Sequence, residues 1–197
     1  MAPIIDPDIN LVKRIQESGD KDAFNTLYDR YINKVYNFCL AFTGDDDDAK
    51  DCTQEVFIRV YRSIGKFRSD AKFNTWLYRI INNTCKDMVK KVSYRKRMVS
   101  SDSEGWDTQG GSLDDPVSNY PDPYVELTRK EMREQFLSAL KKLKPAFRRI
   151  LILRDIEGRS YEEISEITGR NPGTVRSSLA RGRHRIATYL KAYRNEL

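Results

Sequence analysis

Histidine and cysteine are scarce in this chain of 197 residues, which has one His and three Cys. Cys39, Cys52 and Cys85 are odd in number, lie far apart and show no C-x-x-C spacing. That excludes a disulfide framework and any zinc motif legible from spacing. Each is expected to pack as a small buried hydrophobe. His184 stands alone on a basic stretch and offers no Ser/His or Cys/His pair for nucleophilic chemistry. The chain is therefore expected not to be an enzyme, with no catalytic residue, no metal and no cofactor. No apolar run is long enough to span a bilayer, and no leader-like segment opens the sequence. A cytoplasmic protein without membrane insertion is expected. Alternating strand-like patterns are nearly absent as well, so helical periodicity carries the reading.

Charge is what the chain has in abundance. Asp, Glu, Lys and Arg make up 32% of it, and the net charge of +6 is unevenly spread. Residues 1–98 carry a net +4, residues 99–123 carry −6 with no Lys or Arg, and residues 124–197 carry +8. Two basic segments flanking an acidic connector point to nucleic acid as a partner of both.

The sharpest local pattern is residues 158–185, GRSYEEISEITGRNPGTVRSSLARGRHR. Ser160 followed by Glu163 predicts a capping box. Ile164 and Ile167 form an apolar stripe, and Gly169 supplies a left-handed helix end. Asn171 then caps a second helix with Pro172 at its first position. Val175, Leu179, Gly182 and Ile186 share one face of that helix, while Arg176, Arg181, Arg183 and Arg185 lie outside it. This predicts a helix-turn-helix whose second helix enters a major groove.

Further helices are predicted over 8–18, Ala23–Phe42, Ala49–Ile64, Thr75–Val92 and Tyr124–Leu143, with another starting near Pro145. Asp45–Asp48 lacks the alternation and closing Glu of a calcium loop. It is expected to end one helix and favour the start of the next. The stretch from Ser93 to Pro123 is rich in Ser, Gly, Asp and Pro and reads as a flexible linker containing Trp106 and Tyr120. It is either a solvated tether or a polyanion drawn toward basic channels of a partner.

In the first half, Asp51, Gln54 and Glu55 fall on one helix face that Arg59 and Arg62 continue. Residues 66–91 interleave Phe67, Phe73, Trp76 and Tyr78 with Lys66, Arg68, Lys72 and Arg79. Such a pattern can follow a phosphate backbone while aromatics and amides engage unstacked bases. Trp76 itself is expected in the core.

Together these segments resemble the extracytoplasmic-function (ECF) sigma factors of the sigma-70 superfamily. AFNTLYDRY is similar to that family's first helix, DCTQEVFIRVYRSI to its polymerase-clamp helix, FRSDAKFNTWLYRIINNTCKD to its −10 segment, and LRDIEGRSYEEISEITGRNPGTVRSSLARGR to its −35 helix-turn-helix. The resemblance implies an all-α fold of two small helical domains: a region 2 domain over 1–95, a flexible acidic linker over 96–123, and a region 4 helix-turn-helix domain over 124–197. It implies that Asp51, Gln54, Glu55, Arg59 and Arg62 meet core RNA polymerase. Arg68, Lys72, Phe73, Asn74, Arg79 and Asn83 would meet single-stranded −10 DNA. Arg154, Thr174, Arg176, Ser177 and Arg181 would meet duplex −35 DNA. The implied partners are bacterial core polymerase, through its β′ clamp and β flap, promoter DNA and an anti-sigma factor.

Two other functions fit parts of the pattern. One is a free-standing helix-turn-helix operator-binding regulator, which should dimerise on a palindrome. The other is an RNA- or single-strand-binding accessory protein using residues 66–91 alone. The D-x-x-Q-E helix argues against both.

Overall fold

A computed structural model describes residues 6–99 and 123–194, with side chains for 6–91 and 131–191. The acidic connector, with Trp106 and Tyr120, lies outside the described residues. Eight α-helices and no strand are found among the described residues. In the first half these are α1 (Ile9–Ser18), α2 (Lys21–Thr43), α3 (Asp46–Ser63) and α4 (Phe73–Val99). The second half holds α5 (Pro123–Lys141), α6 (Pro145–Leu151), α7 (Tyr161–Thr168) and α8 (Pro172–Arg194). A 3-10 turn at Ile64–Lys66 follows α3, and a π-helical turn at Ile152–Ile156 follows α6. No described helix is long and apolar enough to cross a membrane.

Helix ends follow local chemistry. Gly44 takes φ +70° to close α2, and the Asp45 side chain accepts from Asp48 N–H to open α3. Asp46–Asp48 then occupy the first turn, where negative charge complements the helix dipole. The Asp run thus stops one helix and starts the next, as expected.

One end departs from the sequence reading. The helix expected from Thr75 begins two residues earlier, at Phe73. Its first N–H donates to Asp6 Oδ2 at 2.5 Å, a side chain 67 residues upstream that also accepts from Asp8 N–H at 3.0 Å. Asp8, itself buried, accepts from Arg30 and from the Tyr31 hydroxyl. Burial, followed by Asp8, pushes the Tyr31 phenol above its ordinary pKa. Two N-terminal carboxylates therefore tie α1 to α2 and α4.

The longest stretch of buried side chains runs along α2, from Leu27 through Tyr31, Val35 and Phe38 to Phe42. It packs on Val56 and Val60 of α3 and on Leu77, Tyr78 and Ile81 of α4. In the second half, Leu140, Ile150, Leu153, Ile164, Val175, Leu179 and Ile186 are buried, and they belong to the same continuous cluster. The two halves are docked, not separate.

Arg148 makes that docking possible. Its guanidinium is buried and donates to the carbonyls of Phe42, Lys141 and Leu143, the last at 3.0 Å. These carbonyls lie in the last turn of α2 and at the end of α5, where helices leave acceptors without internal partners. The Phe42 ring lies 5.5 Å from the same guanidinium. Burial lowers the Arg148 pKa, yet a cation at two helix C-termini is favourably placed.

Two expected outcomes follow. Arg148→Met keeps apolar bulk but strands three acceptors, and is expected to lower stability by about 3 kcal/mol, read as a drop in the urea midpoint. Asp6→Ala is expected to cost about 1–2 kcal/mol and to speed amide exchange at Phe73 specifically. Unchanged exchange at that amide would count against the long-range cap.

Candidate nucleic-acid and partner interfaces

The first surface is a groove of about 740 Å³ between α2 and α3. Phe24, Tyr28, Ile32, Phe57, Ile58 and Tyr61 form its apolar lining, and Gln54 and Arg62 border it. Its walls are ordered by ring contacts: Phe24 meets Tyr61 edge-on at 5.1 Å, and Tyr28 meets Phe57 at 4.6 Å. Tyr61 remains 60% exposed, and Ile58 and Tyr28 are exposed too. Exposed aromatic and aliphatic groups gathered in one groove suit a docked partner better than water.

Sequence reasoning found this helix from its polar face but missed the apolar lining beside it. Tyr28 falls within the apolar stripe of α2, and Ile58 and Tyr61 lie outside that of α3, so spacing gives no sign that the three gather in one exposed groove. Of the polar residues, Asp51 and Gln54 are exposed. Arg59 is already engaged: its Nε donates to Glu55 at 2.7 Å and its Nη1 to Asp87 of α4 at 2.9 Å. These partners, Asp87 first, hold its pKa above the ordinary value. Arg59 thus braces α3 against α4, leaving Gln54 and Arg62 at the groove.

The second surface runs from the loop before α4 onto α4. Arg68 and Lys72 are exposed there, and Ser69 takes φ +57°, a conformation rare for residues other than glycine. Phe73 requires a correction. It is 1% exposed and packs against Tyr31, Phe67 and Trp76, so its ring is core and cannot meet a base in this fold. Phe67 and Tyr78 are buried as well, while Lys66, Arg68 and Lys72 are exposed, so the alternation separates core aromatics from surface cations. Asn74 stays partly accessible, and Asn83 is exposed one face further along.

The third surface is the helix-turn-helix. The Ser160–Glu163 capping box is present in both directions, Gly169 takes φ +67°, and Asn171 Oδ1 accepts from Thr174 N–H at 2.7 Å. Val175, Leu179, Gly182 and Ile186 are buried as the periodicity requires. Ala at 182 would bring a methyl within 3.3 Å of Leu151, so glycine there permits close helix approach. Arg176, Ser177 and Arg181 are exposed on the opposite side of α8. Arg154 projects from the π-helical turn, donates to the Arg159 carbonyl at 2.6 Å and lies 4.9 Å from the Tyr161 ring. Arg176 approaches the same ring at 5.3 Å. Tyr161 therefore props two arginines at the mouth of the recognition helix, a role with no signal in spacing. Arg183, by contrast, pairs with Asp155, with Nε to Oδ2 at 3.0 Å.

The second and third surfaces meet each other. Arg159 Nη2 donates to Asn74 Oδ1 at 2.7 Å, and its guanidinium lies 4.2 Å above the Tyr78 ring. The Tyr78 hydroxyl donates to Glu157. Arg79 donates to the Glu166 carbonyl at 3.1 Å. Two candidate DNA contacts, Asn74 and Arg79, are thus held by the helix-turn-helix half.

Comparison with known proteins matches each half. Residues 27–95 match the model of sigma-70 region 2, and residues 133–186 match that of sigma-70 region 4. The chain is 36% identical over 179 residues to the RNA polymerase sigma-H factor of Pseudomonas aeruginosa, covering 91% of each. It is 35% identical over 176 residues to the ECF RNA polymerase sigma-E factor of Escherichia coli K12, covering 89% of this chain and 90% of that one. Two solved structures share the fold at a TM-score of 0.65. CnrH, in complex with the cytosolic domain of CnrY, is 24% identical over 95% of this chain and 99% of its own. The Bartonella quintana sigma factor RpoE, in complex with the anti-sigma factor NepR, is 23% identical over 87% of this chain and 98% of its own.

Proposed function

The chain belongs to the extracytoplasmic-function group of the sigma-70 family, and from that premise we propose how its surfaces serve promoter recognition. As a sigma factor it directs core RNA polymerase to promoters and starts transcription there. The observation that carries the reading is the presence, in one polypeptide, of an aromatic groove on α2–α3 and a capped basic recognition helix. A free-standing operator-binding regulator needs only the second and is not favoured.

In this proposal residues 1–95 hold polymerase and read the −10 strand, 96–123 connect, and 124–197 read the −35 element. The groove beside Gln54 and Arg62 takes the clamp helices of β′. Its apolar floor supplies burial, and its polar rim sets register. An anti-sigma factor competing for the same groove would silence the protein; the Bartonella sigma factor is solved in complex with an anti-sigma factor, NepR. The β flap receives the second half. The site of action is the cytoplasm, where core polymerase works.

The chemistry is binding without bond-making. Arg154, Thr174, Arg176, Ser177 and Arg181 meet the major groove, some gripping phosphates and others reading base edges. Arg68, Lys72, Asn74, Arg79 and Asn83 meet the melted non-template strand. Capturing an unstacked base recovers the few kcal/mol that flipping it requires, so reading and melting reinforce each other. Asn74 and Arg79 become available only when their contacts to Arg159 and Glu166 part. Polymerase, by holding the two halves at promoter spacing, supplies both that separation and a high effective concentration of each half at its element. The acidic connector is repelled by DNA and drawn to basic channels of the enzyme.

Two measurements test the assignment. Gln54→Ala combined with Ile58→Glu is expected to weaken binding to core polymerase at least about tenfold with an unchanged helical circular-dichroism spectrum, because both side chains are exposed. Wild-type affinity in that variant would refute the groove assignment. Arg176→Ala and Arg181→Ala are each expected to lose about 1–3 kcal/mol of discrimination at particular −35 base pairs in a promoter-variant binding series. A loss uniform across sequences would reassign the residue to phosphate.

A further inference from the structure

The three cysteines that sequence spacing treated as separate hydrophobes meet in the first half. Cys39 comes from α2, Cys52 from α3 and Cys85 from α4. All three are free thiols at 0%, 0% and 1% exposure, and their sulfur atoms lie within 4.8 Å of one another. Cys52 and Cys85 are in direct contact, Sγ to Sγ 3.6 Å. Among the described residues this is the one group of His, Cys, Asp or Glu side chains close enough to share a metal ion.

The spacing is that of a ligand set. A thiolate binds a first-row metal ion at about 2.3 Å, which puts ligand sulfurs about 3.8–4.0 Å apart around a shared centre. Cys52 and Cys85, at 3.6 Å, are already close to that separation, and the three sulfurs together lie within 4.8 Å of one another.

Donor type and number narrow the ion. Three soft sulfurs select zinc, monovalent copper or an iron–sulfur unit over oxygen-loving cations. A structural zinc ion requires a fourth ligand. Among the described residues the metal-capable group ends at these three thiols, and no further His, Cys, Asp or Glu supplies a fourth ligand. Trigonal coordination by three thiols matches monovalent copper. We propose that Cys39, Cys52 and Cys85 form a buried three-sulfur site for a soft, thiophilic metal ion, with monovalent copper the best fit.

The site lies inside the bundle, and its ligands come from the three helices that carry both first-half surfaces. Metal binding would cross-link α2, α3 and α4 at a point where only side-chain packing now joins them. Entry requires a local opening of the helices, so loading is slow and must be followed to equilibrium. This inference does not depend on the polymerase or promoter assignments, and its test uses neither.

The test is an anaerobic titration of the reduced full-length chain with copper(I) held by bicinchoninate. Loss of the chelator's colour and the growth of the ultraviolet sulfur-to-copper absorption are both followed over hours. One copper per chain is expected to transfer. Cys52→Ala and Cys85→Ala are each expected to weaken retention about 100-fold. X-ray absorption of the loaded wild type, which needs no variant to fold, is expected to show three sulfur neighbours at about 2.3 Å. Failure to take copper from the chelator, equal uptake by the Cys39→Ala/Cys52→Ala/Cys85→Ala triple variant, or a shell of nitrogen and oxygen would each overturn the proposal. Retention of zinc, in a parallel titration against pyridylazoresorcinol, by a chain that takes no copper would overturn copper as the ion.

Discussion

The arrangement of this molecule depends on a buried guanidinium. Helices end with carbonyls that have no partner within the helix, and such acceptors are costly to remove from water. The end of α2 and the end of α5 face each other between the two halves, where water is excluded. Arg148 reaches both, and its planar fork satisfies Phe42, Lys141 and Leu143 at once. A shorter or uncharged side chain could fill the space but not the hydrogen bonds. The apolar cluster runs from α2 into α6 and α8 beside these satisfied ends.

That closure treats the three functional surfaces unequally. The α2–α3 groove and the outer side of α8 remain exposed. The face of α4 does not, because Arg159 takes Asn74 and covers Tyr78 while Arg79 reaches Glu166. Arg159 and Tyr78 meet there in a buried polar and ring contact, while Arg79 reaches the Glu166 carbonyl at the surface. In the proposed function these are the contacts that part when polymerase holds the two halves at promoter spacing.

Rigidity is distributed in the same pattern. Asp6 and Asp8 pin the start of α4 and the middle of α2, and Arg59 braces α3 against α4 through Asp87. These ties fix the helices beneath the reading surfaces, while the loop carrying Arg68 and Lys72 holds Ser69 in a left-handed conformation. Strain of this sort persists where surrounding structure over-determines the backbone. Here the buried rings of Phe67 and Phe73 anchor the loop at both ends.

How much was legible in the sequence follows the range of the interactions involved. The capping box of Ser160 and Glu163, the Asn171 cap on Thr174, the glycine ends at 44 and 169, and the buried stripe of α8 each depend on residues within a few positions of one another. Spacing alone determines such features, so the helix-turn-helix, the all-α class and the polar face of α3 could be read directly. The long-range meetings could not. Asp6 caps a helix 67 residues on, Arg159 finds Asn74 across 85, and Arg148 reaches Phe42 across 106. Phe73 shows the cost: its alternation with basic residues suggested a base contact, but the packing of three other aromatic rings placed it in the core. The cysteines show the converse, since residues without any motif became one cluster only when three helices converged. Periodicity reports which face of a helix is buried, whereas what that face meets is decided by how the helices pack.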